Sequence, residues 1–183
     1  KSLFVMIIHF NGMPGVGKLT VAEILANKIN ARLIDNHLFI DLVTTVSKHG
    51  SAEYLSLLEK IVQVILEQIA TTSNEIFIFT NCLSAEGDDD RKRFDQIRLF
   101  AENKHIPYIQ VLLTCELEEN KRRIVSENRT SKGKLLNAGE LERIHDNYTI
   151  YHPPTEFAFE IDTTNLSAEA AAEKIKCYLD FPK

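Results

Sequence analysis

Gly12-Met13-Pro14-Gly15-Val16-Gly17-Lys18-Leu19-Thr20 constrains this chain more than any other stretch. It follows an apolar run from Leu3 to Phe10, rich in β-forming residues, and precedes Val21, Ile24, Leu25 and Ile29 at helical spacing. Strand, glycine loop, lysine and helix in that order point to phosphate binding, because an ordinary turn requires neither the lysine nor the flanking elements. The glycines let backbone N–H groups point inward, and the helix N-terminus adds partial positive charge. Lys18 would reach the terminal phosphates of a bound chain.

The 183 residues suit one domain with a sizeable core, so residues 1–183 are expected to fold as a single unit. An apolar content of 44% and a charged content of 26% are those of a globular protein, and no apolar run reaches the length of a membrane span. A net charge of −5 argues against a nucleic-acid surface, which calls for basic excess. Cys82, Cys115 and Cys177 form no CxxC pair, so neither a zinc site nor a disulfide framework is expected. The opening apolar run leads into the glycine loop instead of a cleavage site, and the expectation is a cytoplasmic protein that binds neither membrane nor nucleic acid.

Ala31 to Ile34 reads as a second strand that delivers Asp35-Asn36-His37 at its C-terminal end, where α/β sheets bind ligands. Asp35 either faces such a ligand or caps the helix opening at Leu38. Residues 38–70 carry helical periodicity, with Tyr54, Leu58, Ile61, Ile65 and Ile69 on one face and a break at Gly50-Ser51. These helices either cover a substrate or pack the sheet, with His37, Asp41, Lys48 and His49 as candidate contacts. Ile76 to Asn81 is a central third strand that offers no carboxylate until Glu86, although many phosphate-loop proteins place an aspartate near this point to organise magnesium. The run Glu86-Gly87-Asp88-Asp89-Asp90 reads as the entry to a helix over 91–104 or as a metal-binding run.

Pro107 to Leu113 is the fourth strand, and a helix over 116–126 carries Lys121, Arg122 and Arg123. The polar segment 127–136, with Arg129, Lys132, Lys134 and a glycine at 133, is a lid over transferring phosphate or a plain surface loop. A helix over 139–151 stops at His152-Pro153-Pro154, residues 157–162 form the fifth strand, and Ser167 caps a final helix. Five strands alternating with helices predict a three-layer α/β fold with a five-stranded parallel sheet.

On the glycine loop, Asp35, the Arg123-to-Arg129 helix and lid, and the Asp162-Thr163-Thr164 turn, the chain resembles the small P-loop kinases. These are the nucleoside-monophosphate kinases, shikimate kinase, gluconate kinase and chloramphenicol phosphotransferase. The resemblance implies sheet order 2-3-1-4-5, ATP held by Gly12 through Thr20, and Mg2+ bridging the phosphates. It also implies that Asp35 binds or deprotonates an acceptor hydroxyl, and that Arg122 or Arg123 lies near the adenine, which Asp162 to Asn165 border. Arg129 would contact the transferring phosphate, helped by Lys132 and Lys134. The implied activity is ATP-dependent transfer of the γ-phosphate to a small metabolite or antibiotic-like acceptor.

Leu19 stands where GK[ST] loops carry a metal-binding hydroxyl, and Thr20 comes one residue later, as in the GKxT loops of nucleoside-monophosphate kinases. No metal ligand is therefore assigned. A nucleoside-monophosphate kinase is one alternative, but residues 36–75 contain no arginine to grip an acceptor phosphate, only Lys48 and Lys60. A nucleotide-binding sensor or simple ATPase is the other, motivated by Leu19 and the third strand.

Overall fold

The computed structural model describes residues 4–125, 137–152 and 159–180. The expected lid, 127–136, with Arg129, Lys132 and Lys134, lies outside the described residues.

Alternation along the first strand, β1 (Val5–Asn11), decides how the layers form. Ile8 and Phe10 point to one face of the sheet, where they meet Val21, Ala22 and Leu25 of α1 (Lys18–Ile29) and Ala171, Ala172 and Ile175 of α7 (Ala168–Asp180). Val5 and Ile7 point to the other face. There they pack with α2 (Asn36–Thr44), α3 (Ala52–Ile69) and α4 (Asp88–Asn103) through Phe39, Val43, Leu58, Ile97 and Phe100. Burial of each such aliphatic or aromatic side chain contributes about 1.5–3 kcal/mol. A strand covered on both sides is apolar throughout, as β1 is apart from His9 and Asn11.

The remaining strands are β2 (Arg32–Asp35), β3 (Glu75–Thr80), β4 (Tyr108–Thr114) and β5 (Phe159–Asp162). All pairings are parallel and the order is β2-β3-β1-β4-β5, as the resemblance implied. In this register Phe10 and Asp35 both sit opposite Thr80. The carboxyl ends of β1, β2 and β3 therefore open at one level, immediately below the glycine loop, where ligands bind in such sheets.

Two expectations are corrected. The buried face of α3 runs Tyr54, Leu58, Val62, Leu66 and Ile69, so Val62 and Leu66 take the places expected of Ile61 and Ile65, which lie at the edge of the core. The helix expected over 139–151 is α6 (Ala138–Asn147), which ends four residues earlier. The chain after it pairs antiparallel with the segment following β3. Ala85 N donates to Thr149 O at 2.8 Å, Tyr151 N donates to Leu83 O at 3.0 Å, and Ser84 bridges Ile150. Backbone partners at 83–85 and the β-branched Thr149 and Ile150 favour extended chain over another helical turn. The last described helix, α5 (Leu117–Ile124), joins β4 to the region of the expected lid.

Candidate active site

The loop from Gly12 to Gly17 turns on three glycines with positive φ, at 153°, 91° and 96° for Gly12, Gly15 and Gly17. Gly12 is required by close approach as well, since a Cβ there would lie 2.4 Å from Leu113 O on β4. Gly17 occupies the N-cap of α1 in the left-handed region, so the loop delivers the helix N-terminus without a side-chain cap. Lys18 folds back over the loop, its Nζ donating to Gly12 O at 2.7 Å and Met13 O at 2.8 Å.

Three further side chains brace this loop. Asn120 on α5 is fully buried and donates from Nδ2 to Pro14 O at 3.0 Å. Arg123, one turn later, donates through Nη1 to Val16 O at 3.3 Å and to Thr163 Oγ1 at 3.0 Å, and through Nη2 to Thr163 O at 2.6 Å. Thr163 in turn donates from Oγ1 to Val16 O at 3.1 Å. Arg123 thus ties the phosphate loop to the turn after β5, while Glu119 accepts from its Nε at 2.8 Å. Arg122 points away, its side chain 78% exposed and paired with Glu119. Of the two arginines left open in the sequence, Arg123 is the one that lines the cleft.

Asp35 ends β2, and its carboxylate faces the cleft with 17% of its side chain exposed. Thr80 at the end of β3 donates to Asp35 Oδ1 at 2.8 Å, and His37 Nδ1 lies 3.4 Å from the same oxygen. Oδ2 receives no hydrogen bond among the described residues. Burial raises the acid's pKa, but donation from His37 and Thr80 and the His37 charge outweigh it, so the net shift is downward. Asp35 occupies the N-cap of α2; its side chain closes no cap hydrogen bond, although the backbone N–H of His37 also helps to hold its pKa down.

Beneath this end lies a buried polar knot. His9 on β1 is fully buried and stacks on Phe94 at 4.9 Å. Its Nε2 donates to Asn81 Oδ1 at 2.8 Å, leaving Nδ1 to accept from the Tyr108 hydroxyl at 2.8 Å. Desolvation lowers its pKa to about 4, against a partial opposing effect of the Asn81 bond, so the ring is neutral at pH 7. Asn11, also fully buried, accepts from Leu83 N and donates to Tyr151 O, joining β1 to both strands of the small antiparallel pair.

The loop and Asp35 line one cleft of about 1080 Å³. The loop lines it together with Thr163, Leu166 and Ser167, as do Asn36, His37, Ile40, His49, Tyr54 and Arg93 and the acidic residues Glu86 and Asp88 to Asp90. Of the candidate contacts on residues 36–50, His37 and His49 reach it and Asp41 and Lys48 do not. Sequence reasoning missed Thr80, Asn120 and Arg93. Arg93 had a signal: it lies one turn before Ile97 on the apolar stripe of α4, where a core helix ordinarily places a hydrophobic residue.

The acidic run opens α4, with Asp88, Asp89 and Asp90 in its first turn, where the helix dipole favours negative charge. Asp90 Oδ2 accepts from both Ser84 N and Ser84 Oγ, at 3.0 and 3.1 Å. Helix entry thus explains the run. Among the described residues no three His, Cys, Asp or Glu side chains are grouped to hold a metal ion. Among the side-chain oxygens that line the cleft are the exposed Thr20 hydroxyl, next but one to Lys18 in the first turn of α1, and the Asp35 carboxylate. This sparse set fits Mg2+, which keeps several waters and is carried mainly by nucleotide phosphates.

A family model described as an AAA domain matches residues 8–145. No curated protein matches the chain. Among solved structures it is similar to a sugar kinase from Janibacter sp. HTCC2649, with 17% identity and a TM-score of 0.64 over 96% of this chain and 95% of that one. It is also similar to the APS kinase of Mycobacterium tuberculosis in complex with AMPPNP and APS, with 15% identity and a TM-score of 0.64 over 97% and 99%. A gluconokinase from Sinorhizobium meliloti 1021 matches with 18% identity and a TM-score of 0.59 over 98% and 94%. These likenesses establish the fold, that of the small P-loop kinases.

Proposed function

The chain belongs to the AAA domain family of P-loop proteins, and on that premise we propose that it is an ATP-dependent phosphotransferase that moves the γ-phosphate to a hydroxyl of a small-molecule acceptor. The observation that carries the reading is Asp35, a carboxylate in the same cleft as the phosphate loop, with Oδ1 anchored by Thr80 and Oδ2 open. A bare nucleotide-binding module has no use for such a group. Structures of the same fold are named as kinases of sugars, of APS and of gluconate, which supports a small-molecule acceptor.

In this reading the loop amides and the N-terminus of α1 cradle the phosphates, and Lys18 exchanges its carbonyl partners for phosphate oxygens. Mg2+, when bound, neutralises phosphate charge, and Thr20 and Asp35 are the side chains that would meet it or its waters. Asp35 Oδ2 accepts the proton of the acceptor hydroxyl. The hydroxyl oxygen then bonds to the γ-phosphorus as the bond to the bridging oxygen breaks and ADP leaves. A carboxylate with a lowered pKa is a modest base, so its main work is orienting the nucleophile, which phosphoryl transfer chiefly requires. Arg123 fixes the loop against the turn after β5, beside which the adenine would lie. Arg129, outside the described residues, is assigned to the transferring phosphate.

ADP release measured with and without a pooled library of hydroxyl-bearing metabolites tests the proposal. Stimulation by the library supports it. Tight ATP binding with no turnover for any acceptor would make the chain a nucleotide sensor, and turnover indifferent to the library would make it a simple ATPase.

A further inference from the structure

Arg93 stands apart from every other arginine among the described residues. Arg32 pairs with Glu75, Arg91 with Asp88, and Arg98 with Asp95 and Glu102. Arg122 and Arg123 pair with Glu119, and Arg143 with Glu140. Among the described residues Arg93 meets no carboxylate and makes no hydrogen bond, although it is half-buried and lines the cleft. Its acidic neighbours are engaged elsewhere. Asp90 is held by Ser84, both oxygens of Glu86 accept from Thr149 N, and Asp88 and Asp89, which also line the cleft, pair with Arg91 and Lys92.

The surroundings of Arg93 locate its charge. It lies close enough to Tyr54 for its charge to offset part of the rise that burial causes in the phenol's pKa. The Tyr54 ring is itself 4.8 Å from that of His49. These residues belong to the wall of the cleft built by α3 and the turn before it, beyond Asn36, His37 and Ile40. A guanidinium withdrawn from water without a partner is unfavourable, and its five donors in a rigid fork match the paired oxygens of an oxyanion.

We infer that Arg93 receives an oxyanion group, carboxylate, phosphate or sulfate, carried by the acceptor at the end remote from the hydroxyl that faces Asp35. The identity of the ligand as an acceptor rests on the kinase reading above; the anion site does not. The site also answers the lack of any arginine in residues 36–75, because α4, packed beside α3, supplies the cation.

Two measurements separate the two claims. First, the phosphate loop is filled with a non-hydrolysable ATP analogue and Mg2+, and inorganic phosphate is titrated while the Nε–Hε resonance of Arg93, assigned from its loss in Arg93→Lys, is followed by NMR. A saturable shift with phosphate and none with sorbitol is expected. An Arg93 resonance unmoved at phosphate concentrations that saturate the loop of the nucleotide-free protein overturns the site. Second, acceptor-dependent ADP release is compared for gluconate against sorbitol, and for a sugar phosphate against the free sugar.

The anionic member of a pair should be preferred, and which pair responds distinguishes carboxylate from phosphate. Arg93→Gln should raise its KM roughly 10²-fold, more than it lowers kcat, with Arg93→Lys between the two. Equal KM values in wild type and Arg93→Gln overturn the assignment of the anion to the acceptor. If no acceptor stimulates turnover, the kinase reading fails while the resonance measurement still decides the anion site. Unchanged thermal melting of Arg93→Gln excludes misfolding as the cause of either effect.

Discussion

Lys18, Asn120 and Arg123, at the phosphate-loop end of the cleft, spend their donors on main-chain carbonyls of residues 12–16 and of the turn after β5. Asp35 and Arg93, at the other end, hold back one carboxylate oxygen and a whole guanidinium. The first arrangement is a scaffold complete in itself, which on the proposed function would hand over a few bonds to phosphates. The second is incomplete until a ligand supplies the missing partners. A site that transfers a common group to a particular acceptor needs this asymmetry, since preorganised charge serves every turnover while unspent polar groups set what is accepted.

The sharpest way to break the comparison is to remove the cation of the scaffold. Lys18→Ala should lower kcat/KM about 10³-fold while changing the urea midpoint far less, because its bonds to Gly12 O and Met13 O join residues that the glycine turn already holds. Loss of folding together with activity would show that the loop is not self-supporting. Gly12→Ala attacks the same scaffold through its packing. A Cβ 2.4 Å from Leu113 O and a φ of 153° should cost about 3 kcal/mol or more in chemical denaturation.

His9 probes the floor beneath the Asp35 end. Its folded pKa of about 4 lies below the unfolded 6.5, so the unfolded chain binds the extra proton between those values. Stability is then unaffected above pH 6.5 and falls by about 3 kcal/mol as pH drops toward 4. Urea titrations across this window should show that slope in wild type and a flatter one in His9→Asn. The smallest effect is expected for Arg123→Ala, about 2 kcal/mol of stability and roughly tenfold in nucleotide affinity by calorimetry, since it removes the strap without touching a loop amide. A change in acceptor KM with unaltered nucleotide affinity would place Arg123 on the wrong side of the comparison.

The same asymmetry governs how much could be read from sequence. The loop end was legible because its chemistry is contiguous: strand, glycines, Lys18 and helix follow one another, and the periodicities of the flanking elements fix the sheet. Asp35 was legible from its place at a strand end. Its anchoring by Thr80, 45 residues away, was not, nor was the strap from Asn120 to Pro14 across 106 residues, because hydrogen bonds between distant segments leave no periodic trace. Arg93 sits in the charged run Arg91-Lys92-Arg93, and only its place one turn before Ile97 on the apolar stripe sets it apart before α4 is docked on the sheet. The end of α6 was misjudged for a similar reason, since partners at residues 83–86 outcompeted local helical preference.

On the proposed function, Asp35 presents an acceptor hydroxyl to the γ-phosphate of ATP bound at the loop. The most direct test follows the phosphorus by NMR during turnover with a stimulating acceptor, in wild type and in Asp35→Asn. The expected outcome is a phosphate ester of the acceptor in the wild type, its formation slowed roughly 10²-fold or more in the variant, and equal nucleotide affinity in both. Inorganic phosphate as the wild-type product, or an undiminished rate of ester formation in Asp35→Asn, would contradict it.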